Sequence, residues 1–407
     1  MKPRICVLTA RHLATTPRMV KVADALAEEG YDVSVVSAQF MTWGDEGDRS
    51  ILASRWSRWR WETVDYRKRD AFPRHAWSVL RRKAARQIMR VSGVKRVGFA
   101  TAARIRERFF PELVSAAVHT RPKLIYGGGN ALAATAEAAR RADVPFVLDL
   151  EKFHNPHRSP SRVSGVTEKI ERRILPAASA LTAGSRAIAE AYHSSFGVEP
   201  IPIHNVFPLP DIEPTVRDWD GNLRLYCFGT TIRRGHGLED AIRAAGLAEI
   251  KCELTIRGVI SDNYLESLRR LASDAAPQLT LTPLGHAPPD DMIDLCRPHD
   301  VGLALKDSGR RLSLSNKSPT YILAGLTVAM TETPGQRELA DDLGEGVLLC
   351  QPGDVESLAR GFKKWSDDPE LLARGKQAAW AAARDRWHWE HPDERGKLIE
   401  TIAGIFQ

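Results

Sequence analysis

Apolar runs of strand length alternate with longer amphipathic stretches along most of this chain. In its first half the runs fall at 5–9, 33–37, 123–126, 146–149, 180–183 and 201–204, and the stretches between them carry apolar residues at helical spacing. Strand and helix in regular succession predict a parallel sheet with helices on both faces. The clearest helix is 17–29. Pro17 suits a first helical turn, and Gly30 suits the end, because glycine takes a left-handed C-cap conformation without steric cost.

Between the second and third runs the pattern changes. An Ala- and Arg-rich stretch, 77–110, predicts one or two extra helices, and the basic helical insertion as a whole spans 49–120. At 207–214 the prolines Pro208, Pro210 and Pro214 break the rhythm, since proline continues neither a helix nor an interior strand. The alternation resumes with runs at 223–228, 253–257, 279–281, 301–305, 327–331 and 347–349. The expected architecture is α/β: two doubly wound domains, 1–206 and 223–385, with a linker at 207–222. A final segment, 386–407, carries Trp387, Trp389, Leu398, Ile399, Ile402 and Ile405 and is expected to return to the first domain.

A length of 407 residues exceeds what one hydrophobic core usually organises, in keeping with two domains. With 43% hydrophobic and 27% charged residues, a mainly disordered or collagen-like chain is excluded. The longest nearly uncharged apolar run, 321–330, falls far short of the ~18 residues that cross a bilayer. The run at 5–8 is too brief for the apolar part of a signal peptide, so a cytoplasmic location is expected. Five scattered cysteines (Cys6, Cys227, Cys252, Cys296, Cys350) without a C-x-x-C pair argue against a disulfide framework or a zinc site.

Charge changes the picture most. The net charge of +7 is uneven: 49–108 holds eighteen Lys/Arg against four acids, and the rest of the chain forty against forty-seven. Trp56, Trp59, Trp61 and Trp77 interleave with these cations, and Trp77, Leu80, Ala84, Ile88 and Val91 make a narrow helical stripe. Three readings stay open for the segment: a structural unit packed on the first domain, a peripheral contact with an anionic inner membrane face, and a nucleic-acid surface. No nucleic-acid partner is expected overall.

P-loop, zinc-protease, serine-hydrolase and dinucleotide motifs are absent, which removes those chemistries. Asp218-Trp219-Asp220 has the form of an Asp-x-Asp metal site but precedes Gly221 in the linker and reads as a solvated turn. Two segments past second-domain strands suit an anion. One holds Gly229, Thr231, Arg233, Arg234, His236 and Gly237 before a helix; small residues let backbone approach a phosphate and arginine supplies a forked charge. The other holds Ser315, Asn316, Lys317 and Thr320, with Ser315 or Asn316 as helix cap and Lys317 where a helix dipole disfavours a cation unless an anion binds. Arg257, ending a neighbouring strand, joins this donor-side set. Ordinary turns with solvated cations are the bland alternative in both places.

Several segments together resemble retaining glycosyltransferase family 4, which has the GT-B fold. They are Asn316-Lys317, Tyr321, Ala324-Gly325, Val328 and the run from Thr333 through Gly335, Gln336, Glu338 and Leu339; Gly237-Leu238-Glu239; Thr16-Pro17-Arg18; Val147 to His154; and Ile203 to Pro208. The resemblance leaves out the basic segment. It implies two Rossmann-like domains facing across a cleft, and transfer of a sugar from a nucleotide-diphosphate sugar to a small-molecule or lipid-linked acceptor hydroxyl, with retained configuration and no cofactor or metal. Asp149, Glu151 and His154 are the implied catalytic residues, and Arg18, Gly128, Gly129 and Asn130 the acceptor-side ones. The chain departs from the family at its Glu-x7-Glu pair, where Leu312 and Thr320 stand, and at the basic residue before Gly237, which is His236. Those departures motivate a rival, a protein that processes or only binds sugar nucleotides; a second rival is a basic adaptor.

Overall fold

The computed structural model describes residues 2–41, 44–55, 58–153, 162–215, 217–306 and 312–407. The chain forms two compact units, Met1–Ile203 with Arg395–Gln407, and His204–Glu394.

The first unit is built on seven parallel strands: β1 (Arg4–Thr9), β2 (Asp32–Gln39), β3 (Arg60–Asp65), β4 (Leu124–Gly128), β5 (Phe146–Leu150), β6 (Ala180–Ala183) and β7 (Ile201–Pro202). Their order is β3-β2-β1-β4-β5-β6-β7, with Val7 opposite both Val35 and Tyr126. Ile5, Cys6, Val7 and Leu8 are all fully buried, as expected of an apolar run covered on both faces. The helices are α1 (Pro17–Glu28), α2 (Gly44–Arg55), α3 (Phe72–Arg96), α4 (Phe99–Arg106), α5 (Phe110–His119), α6 (Leu132–Ala142), α7 (Arg162–Ile174) and α8 (Arg186–Phe196).

One strand was hidden from the pattern. The insertion expected to be helical over 49–120 contains β3, which pairs with β2 from Arg60 opposite Ser34 to Asp65 opposite Gln39. As the sheet's edge strand it needs little apolar surface, and Arg60, Glu62 and Asp65 mask it while discouraging pairing with another chain. Arg60 Nη2 donates to Asp32 Oδ1 at 2.6 Å, and Trp61 Nε1 to Ser37 Oγ at 2.9 Å.

The second unit holds six parallel strands: β8 (Leu223–Ile232), β9 (Cys252–Ile260), β10 (Leu279–Leu284), β11 (Val301–Ala304), β12 (Thr327–Thr331) and β13 (Val347–Cys350), in the order β10-β9-β8-β11-β12-β13. Its helices are α9 (Leu238–Leu247), α10 (Asp262–Ala275), α11 (Met292–Cys296), α12 (Lys317–Leu323), α13 (Pro334–Ala340), α14 (Val355–Asp367) and α15 (Pro369–Asp385). The proline-rich segment clusters with this unit: Arg217 Nη2 donates to Asp300 Oδ2 at 2.7 Å and Trp380 Nε1 to Glu213 Oε1 at 2.9 Å. Asp220 forms ion pairs with Arg217 and Arg224 and accepts from Asn222 N, the turn that Gly221 suggests.

The return to the first unit begins at Arg395, so Trp387 and Trp389 stay with the second. Trp387 Nε1 donates to Asp342 at 2.8 Å. The returning helix, α16 (Lys397–Ile405), touches α1; it buries Leu398 and Ile402, and Phe406 stacks on Tyr31 at 6.0 Å. All five cysteines are buried thiols, and burial pushes Cys6, Cys252 and Cys350 up to about 12. No described helix is long and apolar enough to cross a membrane.

Candidate functional site

In each sheet the strand order reverses after the first strand, between β1 and β4 and between β8 and β11. Open parallel sheets bind ligands beyond the C-terminal ends of strands at such a switch point.

In the first unit that place is densely cross-linked. Asp149, on β5, accepts from Arg18 Nε at 2.6 Å and Nη2 at 2.7 Å, and from Thr182 Oγ1 at 2.7 Å. Thr182 has one proton and gives it to the carboxylate, so the buried Tyr126 hydroxyl, 3.0 Å away, donates to Thr182. Arg18 Nη1 reaches the Ile203 carbonyl at 2.6 Å. Burial alone would depress the Arg18 pKa, yet the adjoining Asp149 carboxylate holds it above its ordinary value. Asp149 and Arg18 therefore neutralise each other inside the fold. Asp149, expected among the catalytic groups, is an anchor with three donors already on it.

The glycines here also have a packing reason. A Cβ on Gly127 would lie 1.7 Å from Thr135 Oγ1, one on Gly128 2.9 Å from the Met19 thioether, and one on Gly129 2.3 Å from Thr9 Oγ1. Asn130 takes a positive φ of 71°, and with its amide oxygen toward Arg11 it accepts from that residue's Nε and Nη2, each at 2.9 Å. Glu151, just past β5, is different: it is half-buried and makes no hydrogen bond among the described residues. Burial, and then the negative charge of Asp149, raise its pKa above the ordinary carboxylate value against the pull of Arg18, Arg11 and Lys152. His154 lies outside the described residues.

In the second unit the glycine-rich segment divides. β8 runs on through Gly229 and Thr231 to Ile232 past an irregularity in its pairing with β9, so those two residues belong to the strand and the loop proper is 233–237. Gly258 on β9 has φ 139°, and a Cβ there would strike the Gly229 carbonyl at 1.9 Å. Gly237 caps α9 in the left-handed conformation, where a Cβ would meet Leu305 at 2.3 Å. His236, directly before Gly237, is half-buried. The two arginines are not equivalent. Arg234 lies over the Tyr264 ring at 5.2 Å and pairs with Glu239 at 3.3 Å, whereas Arg233 is exposed and has no partner among the described residues.

Lys317 opens α12 and sends its Nζ to Cys227 Sγ on β8 at 3.3 Å, with no carboxylate partner among the described residues. Arg257 donates Nε to the Tyr226 hydroxyl at 2.7 Å, and its terminal nitrogens make no hydrogen bond among the described residues. The expected cap fails: Asn316 is helical, with φ −61° and ψ −12°, and neither it nor the buried Ser315 caps α12 with a side chain. Thr320 is buried and turns its hydroxyl to the Asn316 carbonyl at 3.4 Å, so it does not stand in for a carboxylate. Arg233 and Lys317, close to the first strand of this sheet, thus pair with no acid among the described residues, on a sheet whose order suits a nucleotide.

Residues 15–208 match the family described as glycosyl transferase 4-like domain. The chain carries a glycosyl transferase 4-like domain. The chain has the GT-B fold: it is similar to Anabaena Alr3699/HepE in complex with UDP and glucose, with TM-score 0.71 and 16% identity over 99% of each chain. A glycosyltransferase from Rickettsia africae ESF-5 follows at TM-score 0.66 and 12% identity, over 100% of this chain and 99% of that one. Sucrose-phosphate synthase from Thermosynechococcus elongatus gives 0.65 and 12%, again over 100% and 99%. No curated protein matches the chain in sequence.

Two buried histidine networks escaped the sequence reading. His12 Nε2 accepts from the backbone N–H of Phe40 and Met41 at 2.9 and 3.0 Å, which puts the proton on Nδ1, facing Asp48 at 2.8 Å. In the second unit, His204 sits between Glu394 at Nδ1 and Glu338 at Nε2, both 2.8 Å, with Arg386 Nη1 also on Glu394 at 2.7 Å. Burial opposes charge on His204, but the two carboxylates outweigh it and its pKa is raised; His204 and Arg386 in turn hold Glu394 below the ordinary carboxylate value against its own burial. The only available signal was Ile203-His204-Asn205 at the end of a strand, which says nothing of acids more than a hundred residues away.

Proposed function

We propose that this glycosyltransferase moves a sugar from a nucleotide-diphosphate sugar to the hydroxyl of a small-molecule or lipid-linked acceptor, with retained configuration. One observation supports this most: Arg233, just after β8, and Lys317, at the start of α12, lack acidic partners among the described residues and suit a diphosphate. The bond from the anomeric carbon to the diphosphate oxygen breaks and its electron pair leaves with the diphosphate, while the acceptor oxygen bonds to the anomeric carbon and its proton passes to the departing diphosphate. Fixed cations at that end stabilise the growing charge, where losing one donor typically costs about 3 kcal/mol. Arg233, Lys317 and the terminal nitrogens of Arg257, which make no hydrogen bond among the described residues, are assigned this task, and on this reading they serve in place of a metal. Glu151, uncommitted and with a raised pKa, orients an acceptor or sugar hydroxyl.

A donor panel tests the reading. Because HepE was solved with UDP and glucose, UDP-sugars come first, followed by GDP-, dTDP- and ADP-sugars. A bound donor at 100 times its Kd stabilises by about 2.7 kcal/mol, visible as a raised melting temperature. Transfer to an added acceptor with the anomeric configuration kept supports the proposal. Stabilisation by a donor with conversion of its sugar in the absence of any acceptor favours the sugar-nucleotide-processing alternative, which the replacement of both family carboxylates by Leu312 and Thr320 motivates. No stabilisation by any donor sinks both.

A further inference from the structure

The span of α3 breaks at Gly93, where φ is 75° and ψ 158°; up to that break the helix carries six Lys/Arg and no Asp or Glu. Its inward face is given by the buried Ser78, Ala85 and Met89, and is fastened by Arg81 on Glu112 (2.7 Å to each oxygen), by Arg82 Nε on the Ile105 carbonyl at 3.1 Å, and by Arg108 Nε on Ser78 Oγ at 2.8 Å. At 3.6 residues per turn, Trp77, Leu80, Ala84, Ile88 and Val91 fall within about 80° of one another and roughly 120° away from that inward face. They do not pack on the first unit. Trp77 is 58% exposed, Leu80 57%, Ile88 52% and Val91 81%. Together with Phe72, this one helix supplies five of the nine exposed large hydrophobic residues among the described residues.

On one side of the stripe stand Lys83 and Arg90, about 100° and 120° from its centre, with Arg86 farther round the helix at about 160°; all three are exposed and without a hydrogen bond or ion pair among the described residues. The other described tryptophans of the basic segment are turned inward: Trp59 Nε1 donates to Asp24 and Trp61 Nε1 to Ser37, each at 2.9 Å, while Trp56 lies outside the described residues. Of the described tryptophans of the segment, Trp77 alone is left outward, and Phe72 on the same helix is exposed as well. An apolar stripe with an aromatic, flanked by unpaired cations and free of acids, is the chemistry of a helix lying in the headgroup region of an anionic bilayer. A second copy of the chain fits poorly, because it would set one acid-free row of cations against another. Duplex nucleic acid would satisfy the cations but leave the apolar stripe in water.

We propose that α3 is a membrane-contacting surface that binds anionic phospholipid with Trp77, Leu80, Ile88 and Val91 inserted and Lys83, Arg86 and Arg90 on the headgroups. The assignment stands apart from sugar transfer and does not depend on it. If both hold, the acceptor class narrows to a lipid-linked hydroxyl presented at the bilayer.

The test is co-sedimentation of the full chain with phosphatidylglycerol-containing vesicles and with phosphatidylcholine alone, at low salt and at about 0.5 M salt, where charge interactions are strongly screened. Sedimentation with the anionic vesicles only, reversed by salt, is expected. Lys83→Glu/Arg86→Glu/Arg90→Glu should weaken it on the order of a hundredfold, since each cation near such a surface contributes about fivefold. Leu80→Ser/Val91→Ser, which touches no charge, should weaken it as well, and unchanged melting of both variants shows that they fold. No sedimentation at low salt overturns the proposal, as does equal binding to neutral vesicles. Displacement by duplex DNA, combined with indifference to Leu80→Ser/Val91→Ser, would assign the surface to nucleic acid, and concentration-dependent dimerisation lost in the same variant would assign it to a second copy.

Discussion

The two switch points are built on the same strand order and furnished in opposite ways. Beyond β1 and β4 the first unit pairs Arg18 with Asp149 and sets Arg11 on the neutral Asn130 amide, over glycines that neighbours press against, and only Glu151 stands apart from this network. Beyond β8 and β11 the second unit leaves Arg233 and Lys317 without acidic partners among the described residues. A closed network fixes backbone and stores its charge internally. An open one has charge left for a ligand. Position at a strand end is therefore shared by structural and functional residues, and the state of their partners separates them.

Breaking the closed network should have the largest effect. Asp149→Ala leaves the Arg18 guanidinium buried and unpaired, and loss of one partner of such a pair typically costs about 3–5 kcal/mol; a urea titration followed in the first unit reads it, and an unchanged midpoint would show that Arg18 and Asp149 do not anchor the sheet. Opening the contrast from the other side, Lys317→Ala should cut turnover roughly a hundredfold or more while the melting temperature holds, as expected for a group acting on transition-state charge. Equal turnover in the folded variant would remove Lys317 from the site.

The His204 cluster sharpens the comparison with a third case, a closed network that includes a titrating group. The pKa of His204 is raised above its ordinary 6.5, so its contribution is full below that value and fades as pH rises through the folded pKa. Glu394 is lowered from 4.5, so its contribution is present above that value and fades as pH falls through its folded pKa. The stability difference between the protein and His204→Gln should therefore peak between pH 4.5 and 6.5 and shrink on the alkaline side. Melting curves across pH check it, and a difference independent of pH contradicts the ion-pair assignment. The smallest effect belongs to Arg234→Ala. Its exposed pair with Glu239 contributes little to stability, so donor affinity and melting should hardly move, whereas Arg233→Ala weakens donor binding; equal losses would erase the distinction between the two arginines.

Hydrophobic periodicity was enough to find every strand except β3, because all the others are at least partly apolar and lie between helical stretches, whereas β3 is a charged edge. Arg233 and Lys317 were legible for a similar local reason, since each stands near the end of an element that the pattern marks. Which acids neutralise which bases was not legible. Arg18 and Asp149 are 131 residues apart, and nothing in Thr16-Pro17-Arg18 or in Leu148-Asp149-Leu150 announces the other. The same holds for Thr320, whose hydroxyl follows its helix's backbone, and for Gly229 and Thr231, where a pairing irregularity with β9 keeps as strand what small residues suggest is loop.

The returning helix α16 bears on how the protein is made. Leu398 and Ile402 belong to the first unit, yet a ribosome adds them only after the whole of His204–Glu394. The earliest-synthesised half is thus the last to be completed, and until then the surface that α16 covers, beside α1 and Tyr31, waits exposed. Expressing 1–203 alone reproduces that unfinished state, so a soluble first unit calls for a rearranged gene in which 395–407 is joined directly to it.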